Sequence, residues 1–91
     1  MVKKYSLIWD EWNLNHIAKH GVSKREVEEA VNDERAYIKK HRKRVMVVGS
    51  AWGRILVVIL EKIERNDYYV ISARDATNSE KRLYRKRGKG L

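Results

Sequence analysis

Ile55-Leu56-Val57-Val58-Ile59-Leu60 is an unbroken apolar run in a chain where 36% of the residues are charged. Six residues is strand length, and a run without polar alternation fits a central strand covered on both faces. The chain must therefore supply a sheet and something to pack on each side of it. The same run is the longest apolar stretch, far short of the roughly 18 residues of a membrane span, so no membrane partner is expected. At 91 residues one core is all the chain can bury, and residues 1–91 are expected to form one domain.

The flanking segments supply those layers. Lys4 to Trp9 reads as a short strand, and Asp10 as the N-cap of a helix from Glu11 to His20 that Gly21 ends. In it Leu14, Ile17 and Ala18 form the apolar stripe, and Asn13, His16 and His20 a polar face. Ser23-Lys24-Arg25-Glu26 is a capping box opening a second helix of about ten residues, with Val27, Ala30 and Val31 inward. From Ala36 the period changes to that of strands, expected at about 36–40, 44–50, 54–62 and 68–74 and joined by short antiparallel turns. Thr77-Asn78-Ser79-Glu80 is a further capping box, opening a helix to about Lys86, after which residues 88–90 fray. The expected fold is α+β: an antiparallel sheet with an N-terminal helical hairpin and a C-terminal helix, in the order β-α-α-β-β-β-β-α.

Charge narrows the function. Residues 1–38 carry six basic and seven acidic side chains, whereas residues 39–91 carry fifteen basic and five acidic ones. So one-sided a field favours a polyanion, and nucleic acid is the usual one. With no cysteine there is no thiolate nucleophile, thiolate zinc site or disulfide framework. The N-terminal residues lack the pattern of a secretory signal, which places the chain in the cytoplasm.

Three segments resemble one family. Trp9-Asp10 with Asn13 and Lys19-His20-Gly21-Val22-Ser23, then Gly53-Arg54-Ile55-Leu56-Val57-Val58, then Ile71-Ser72-Ala73-Arg74-Asp75-Ala76-Thr77 with Glu80 and Tyr84 are similar to the signature of the BrnT-type toxins. The resemblance implies a RelE-like ribonuclease, the toxin of a type II toxin–antitoxin pair, that inhibits translation by cutting RNA. It also implies a cognate BrnA-like antitoxin as partner and a higher-order toxin–antitoxin complex. Two features depart from the pattern: a basic run at 39–44 replaces an acidic or proline-bearing loop, and Trp12 stands where a small residue or lysine is common.

RNA cleavage without a metal needs a base for the 2′-OH, cations for the charge on phosphorus and an acid for the leaving 5′-oxygen. No acidic cluster suggests a metal or other cofactor. Arg54 and Arg74, at the start and end of neighbouring strands, are the candidate phosphate clamps. An odd-numbered loop between their strands would place them on one face, and that register is expected. The competing reading has each paired with a local carboxylate such as Asp75 or Glu80. Tyr84 is a candidate for proton transfer with a lowered pKa, for stacking on a base, or for covering the sheet. His20 suits acid–base chemistry or a charge at a helix C-terminus, and its spacing from His16 lacks a third metal ligand. Glu80 is a candidate base, although the third position of a capping box explains it too. Lys19, Lys39, Lys40, Arg42, Lys43, Arg44, Arg82, Arg85 and Lys86 are candidate nucleic-acid contacts, with the 39–44 run otherwise a solvated hairpin turn. Trp52 can stack on a base or face the core or the antitoxin. A non-catalytic nucleic-acid-binding module, or a basic surface for an acidic protein, would show the same charge.

Overall fold

The computed structural model describes residues 5–89; the expectations placed on Met1–Lys4 and Gly90 lie outside this range. The elements are β1 (Ser6–Ile8), α1 (Glu11–Ala18), α2 (Lys24–Val31), β2 (Tyr37–His41), β3 (Arg44–Ala51), β4 (Arg54–Glu64), β5 (Asp67–Asp75) and α3 (Asn78–Lys89). Their order is the one expected. Strands β2 to β5 form an antiparallel meander, but β1 pairs parallel to β5, so the five-stranded sheet is mixed, in the order β1-β5-β4-β3-β2. The return through α1, α2 and three strands brings β1 beside β5, where no hairpin fixes its direction.

The apolar run becomes the centre of two cores. Leu56, Val58 and Leu60 join Ile17 of α1 and Val27, Ala30 and Val31 of α2 on one face. Val57, with Ile55 and Ile59, packs on the other face with Val48, Ala76 and Tyr84 of α3. The α2 backbone lies directly on the sheet at Gly49, where an added Cβ would stand 2.8 Å from the Ala30 carbonyl carbon. Among the described residues no helix is long and apolar enough to cross a membrane.

All three helix starts carry reciprocal caps: Asp10 with Asn13, Ser23 with Glu26, and Thr77 with Glu80. Helix α1 ends earlier than expected, at Ala18, leaving Lys19 and His20 in the turn that Gly21 completes at φ +70°. Its inward face also differs. Asn13 is fully buried, because its side chain accepts from the Asp10 N–H and donates to the Ile8 carbonyl, while Leu14 and Ala18 are exposed. A polar side chain thus enters the core when its donors and acceptors are met there.

Candidate active site

The turn Trp52–Gly53 has positive φ at both residues, which folds β4 tightly back from β3 and starts it at Arg54. Arg54 lies on the α1–α2 face of the sheet, in step with Leu56 and Val58. Its Nε and Nη2 donate to the two Asp75 carboxylate oxygens at 2.8 and 3.1 Å. Its Nη1 donates to Glu26 Oε2 and to the Gly21 carbonyl, both at 2.9 Å. Four of the five N–H groups are thereby committed, tying β4 to the end of β5, the α1–α2 turn and the first turn of α2. The Asp75 and Glu26 hydrogen bonds push the guanidinium pKa up. Glu26, held by the Ser23 backbone N–H and then by Arg54, lies below the usual carboxylate range, as does Asp75 beside Arg54.

Arg74 does not join Arg54 on one face. It pairs with Val57, and Asp75 with Leu56, so Arg74 belongs to the α3 face. The turn between β4 and β5 has only two residues, Arg65 and Asn66, and two register shifts along the ladder offset one another. The parity of an even loop is therefore kept at the strand ends. Arg74 makes a two-pronged pair with Glu80, Nη1 to Oε1 at 2.8 Å and Nη2 to Oε2 at 2.9 Å, and Nη1 also reaches the Asp75 carbonyl at 3.1 Å. Asp75 links the two guanidiniums: its carboxylate holds Arg54 and its backbone carbonyl accepts from Arg74. Each has its own carboxylate, as the competing sequence reading had it.

Glu80 is fixed in the same act. Its Oε1 also accepts from the Thr77 N–H at 2.8 Å, and Arg74 together with this cap holds its pKa at about 2. A carboxylate so engaged is a weak proton acceptor. The expectation of a lowered Tyr84 pKa is overturned. Burial, followed by its bond to Asp33, pushes the phenol up to about 12. Its O–H donates to Asp33 Oδ2 at 2.6 Å, and the same oxygen accepts the Ser50 N–H at 2.9 Å. Tyr84 fastens α3 over the second core. Sequence reasoning missed Asp33; the only signal was that a phenol covering a sheet needs an acceptor.

His20 is exposed beside Gly21, whose carbonyl binds Arg54. Among the described residues its ring touches only His16, edge-on at a centroid distance of 5.7 Å. His16 in turn stacks on Trp12 at 4.8 Å. Lys19 is exposed in the same turn, and Trp52 is exposed with the Arg25 guanidinium 5.7 Å from its ring. The basic block is elsewhere. Lys39, Lys40, Arg42, Lys43 and Arg44 lie on the β2–β3 hairpin, about 23 Å along β3 from the Ala51 end. There Arg44 pairs with Glu61 at 3.0 Å, and Lys39, His41, Arg44, Met46 and Ile59 line a hollow of about 250 Å³. Arg82, Arg85 and Lys86 are exposed along α3. Among the described residues no three His, Asp or Glu side chains are grouped to hold a metal ion.

Comparison with known proteins places the chain among the ribonuclease toxins of type II toxin–antitoxin systems. Residues 9–80 match the family model of BrnT, the ribonuclease toxin of type II toxin–antitoxin systems. The chain belongs to that family, whose members act on RNA and are paired with an antitoxin. The crystal structure of the Brucella abortus ribonuclease toxin BrnT is similar to it, with a TM-score of 0.61 and 29% identity over 81% of this chain and 99% of that one. No curated protein sequence matches.

Proposed function

We propose that this ribonuclease toxin cuts single-stranded RNA without a metal, at the sheet end where Arg54 meets the α1–α2 turn, with His20 moving the proton. The observation that carries this reading is the Arg54 guanidinium, fixed by four hydrogen bonds, one of them to the residue after His20. Among the described residues its remaining Nη2 N–H has no acceptor and can donate to a phosphate oxygen. The His20 ring is exposed and open to a ligand, and an imidazole nitrogen can both accept and donate a proton. His20 takes the 2′-OH proton as the 2′-oxygen attacks phosphorus; the bond to the 5′-oxygen breaks, the 5′-oxygen takes a proton from water, and a 2′,3′-cyclic phosphate forms. Arg54 stabilises the charge gathering on phosphorus.

Arg74, 45% exposed, contacts a flanking phosphate from the other side of Asp75. Glu80 and Tyr84 act as positioning residues, holding Arg74 and α3. Lys19 and Trp52 contact the strand near the cut, while the 39–44 block and Arg82, Arg85 and Lys86 hold the phosphates of a longer RNA without regard to sequence. The partner is an antitoxin of the BrnA type, in a higher-order toxin–antitoxin complex, and the setting is the cytoplasm, where cutting RNA stops translation.

The test is incubation of the purified protein with single-stranded RNA in EDTA. Products ending in 2′,3′-cyclic phosphate support the reading. A requirement for added metal, or linear ends from the first moments of reaction, contradicts it.

A further inference from the structure

We propose that the outer face of α1 is a nucleobase subsite, in which Trp12 and His16 offer a stacked aromatic surface to an unpaired base of the RNA. The inference rests on the reading that RNA is cut beside His20. Trp12, His16 and His20 recur every four residues, so they form one stripe along α1 and the turn that follows it. The Trp12 and His16 rings are nearly parallel, with 8° between their planes and 4.8 Å between centroids. His16 then meets His20 edge-on. Ring spacings of 4.8 Å from Trp12 to His16 and 5.7 Å from His16 to His20 carry the stripe past the end of α1. The stripe thus leads from an exposed indole to the residue that adjoins the Arg54 cluster.

The contrast with Trp9 shows what the stripe is not. Trp9 is half-buried against the core, and its indole N–H donates to Glu28 at 3.0 Å. Trp12 is 57% exposed, and among the described residues its ring has no partner but His16. It neither fills the core nor ties two elements together. A second exposed aromatic, Trp52, is two residues before Arg54 and has the Arg25 guanidinium over its ring. The α1 stripe thus reaches the Arg54 cluster through His20 and Gly21, and Trp52 stands two residues before Arg54, with Lys19 and Arg25 as cationic neighbours. Proteins grip single strands in this way, with rings for bases and cations for phosphates. A duplex keeps its bases stacked on one another, so it gains nothing from such a surface.

The experiment uses a short fluorescent single strand of 2′-O-methyl RNA, which has no free 2′-OH and is not cut, and the same sequence as a duplex. Binding is measured for the wild type, Trp12→Ala and Trp12→Phe, with circular dichroism and melting to confirm the fold. The expected result is a loss of single-strand affinity of about 5- to 100-fold for Trp12→Ala. Trp12→Phe stays within about 3-fold, and duplex binding is unchanged for both. Equal single-strand affinity for wild type and Trp12→Ala overturns the inference. So does an equal loss on the duplex, or a loss confined to binding of the antitoxin. If the wild type still cuts unmodified RNA in EDTA, only the subsite falls; if it neither binds nor cuts RNA, the functional reading falls with it.

Discussion

Replacing Arg54 by lysine keeps the positive charge and removes the fork. A lysine ammonium can meet one of the three acceptors, Glu26, Asp75 or the Gly21 carbonyl, but cannot bridge them all as Arg54 does. The contacts differ in worth. Asp75 is 64% exposed, so its pair is screened and contributes about 0.5 kcal/mol. Glu26 is 24% exposed and Arg54 30%, so that bond and the one to the Gly21 carbonyl lie nearer the range of buried charge-assisted hydrogen bonds. Together the lost contacts amount to about 2 kcal/mol. In a domain of this size that lowers the melting temperature by about 8–16 °C. Thermal and urea unfolding of wild type, Arg54→Lys, Glu26→Gln, Asp75→Asn and the corresponding double variants measure it. The Arg54–Glu26 coupling should be about 1 kcal/mol and the Arg54–Asp75 coupling about half that. A lysine variant melting within about 3 °C of wild type would refute the view that Arg54 holds this end of the sheet together.

Gly49→Ala drives a methyl into the α2 backbone at Ala30, where the obstacle is main chain and cannot turn aside; urea unfolding should show a loss of roughly 3 kcal/mol, and an unchanged midpoint would contradict the packing described. Glu80 has a folded pKa of about 2 against an ordinary 4.5, so its contribution is present above pH 4.5 and is lost as the pH falls toward 2. The full shift corresponds to at most about 3.4 kcal/mol, which the exposure of Arg74 reduces to about 1–2 kcal/mol. Stability curves of wild type and Glu80→Gln against pH should therefore lie apart at pH 7 and converge near pH 2.

Helix starts were legible because a cap is a local event: Asp10, Ser23 and Thr77 each need only a partner three residues on, and all three have it. The central strand was legible because a continuous apolar run has one stable place in a sheet with helices on both sides. The face of Arg74 was not. It depends on the parity of the whole β4–β5 ladder, and the two-residue turn and both register shifts enter that count. The side on which β1 docks and the buried role of Asn13 are likewise set by tertiary partners, Tyr68 in the pairing and the Ile8 carbonyl in the core. At the site, the carboxylates that hold Arg54 and Arg74 come from capping boxes and strand ends. Glu26 and Glu80 read as caps in the sequence, and each has a second task that only the fold displays. The polar face read as Asn13, His16 and His20 is divided by the fold, because Asn13 is buried by its own hydrogen bonds while Trp12 stays outside with His16 and His20.

The proposed cleavage lies on the Arg54–His20 side of the sheet and not on the Arg74–Tyr84 side. Single-turnover cutting of one RNA in EDTA by His20→Asn and by Tyr84→Phe separates the two. The histidine variant should lose about 10²- to 10⁴-fold in rate, the usual worth of a general acid–base group, and the phenylalanine variant less than about 10-fold. A near-normal rate for His20→Asn beside a collapse for Tyr84→Phe would move the chemistry to the other face.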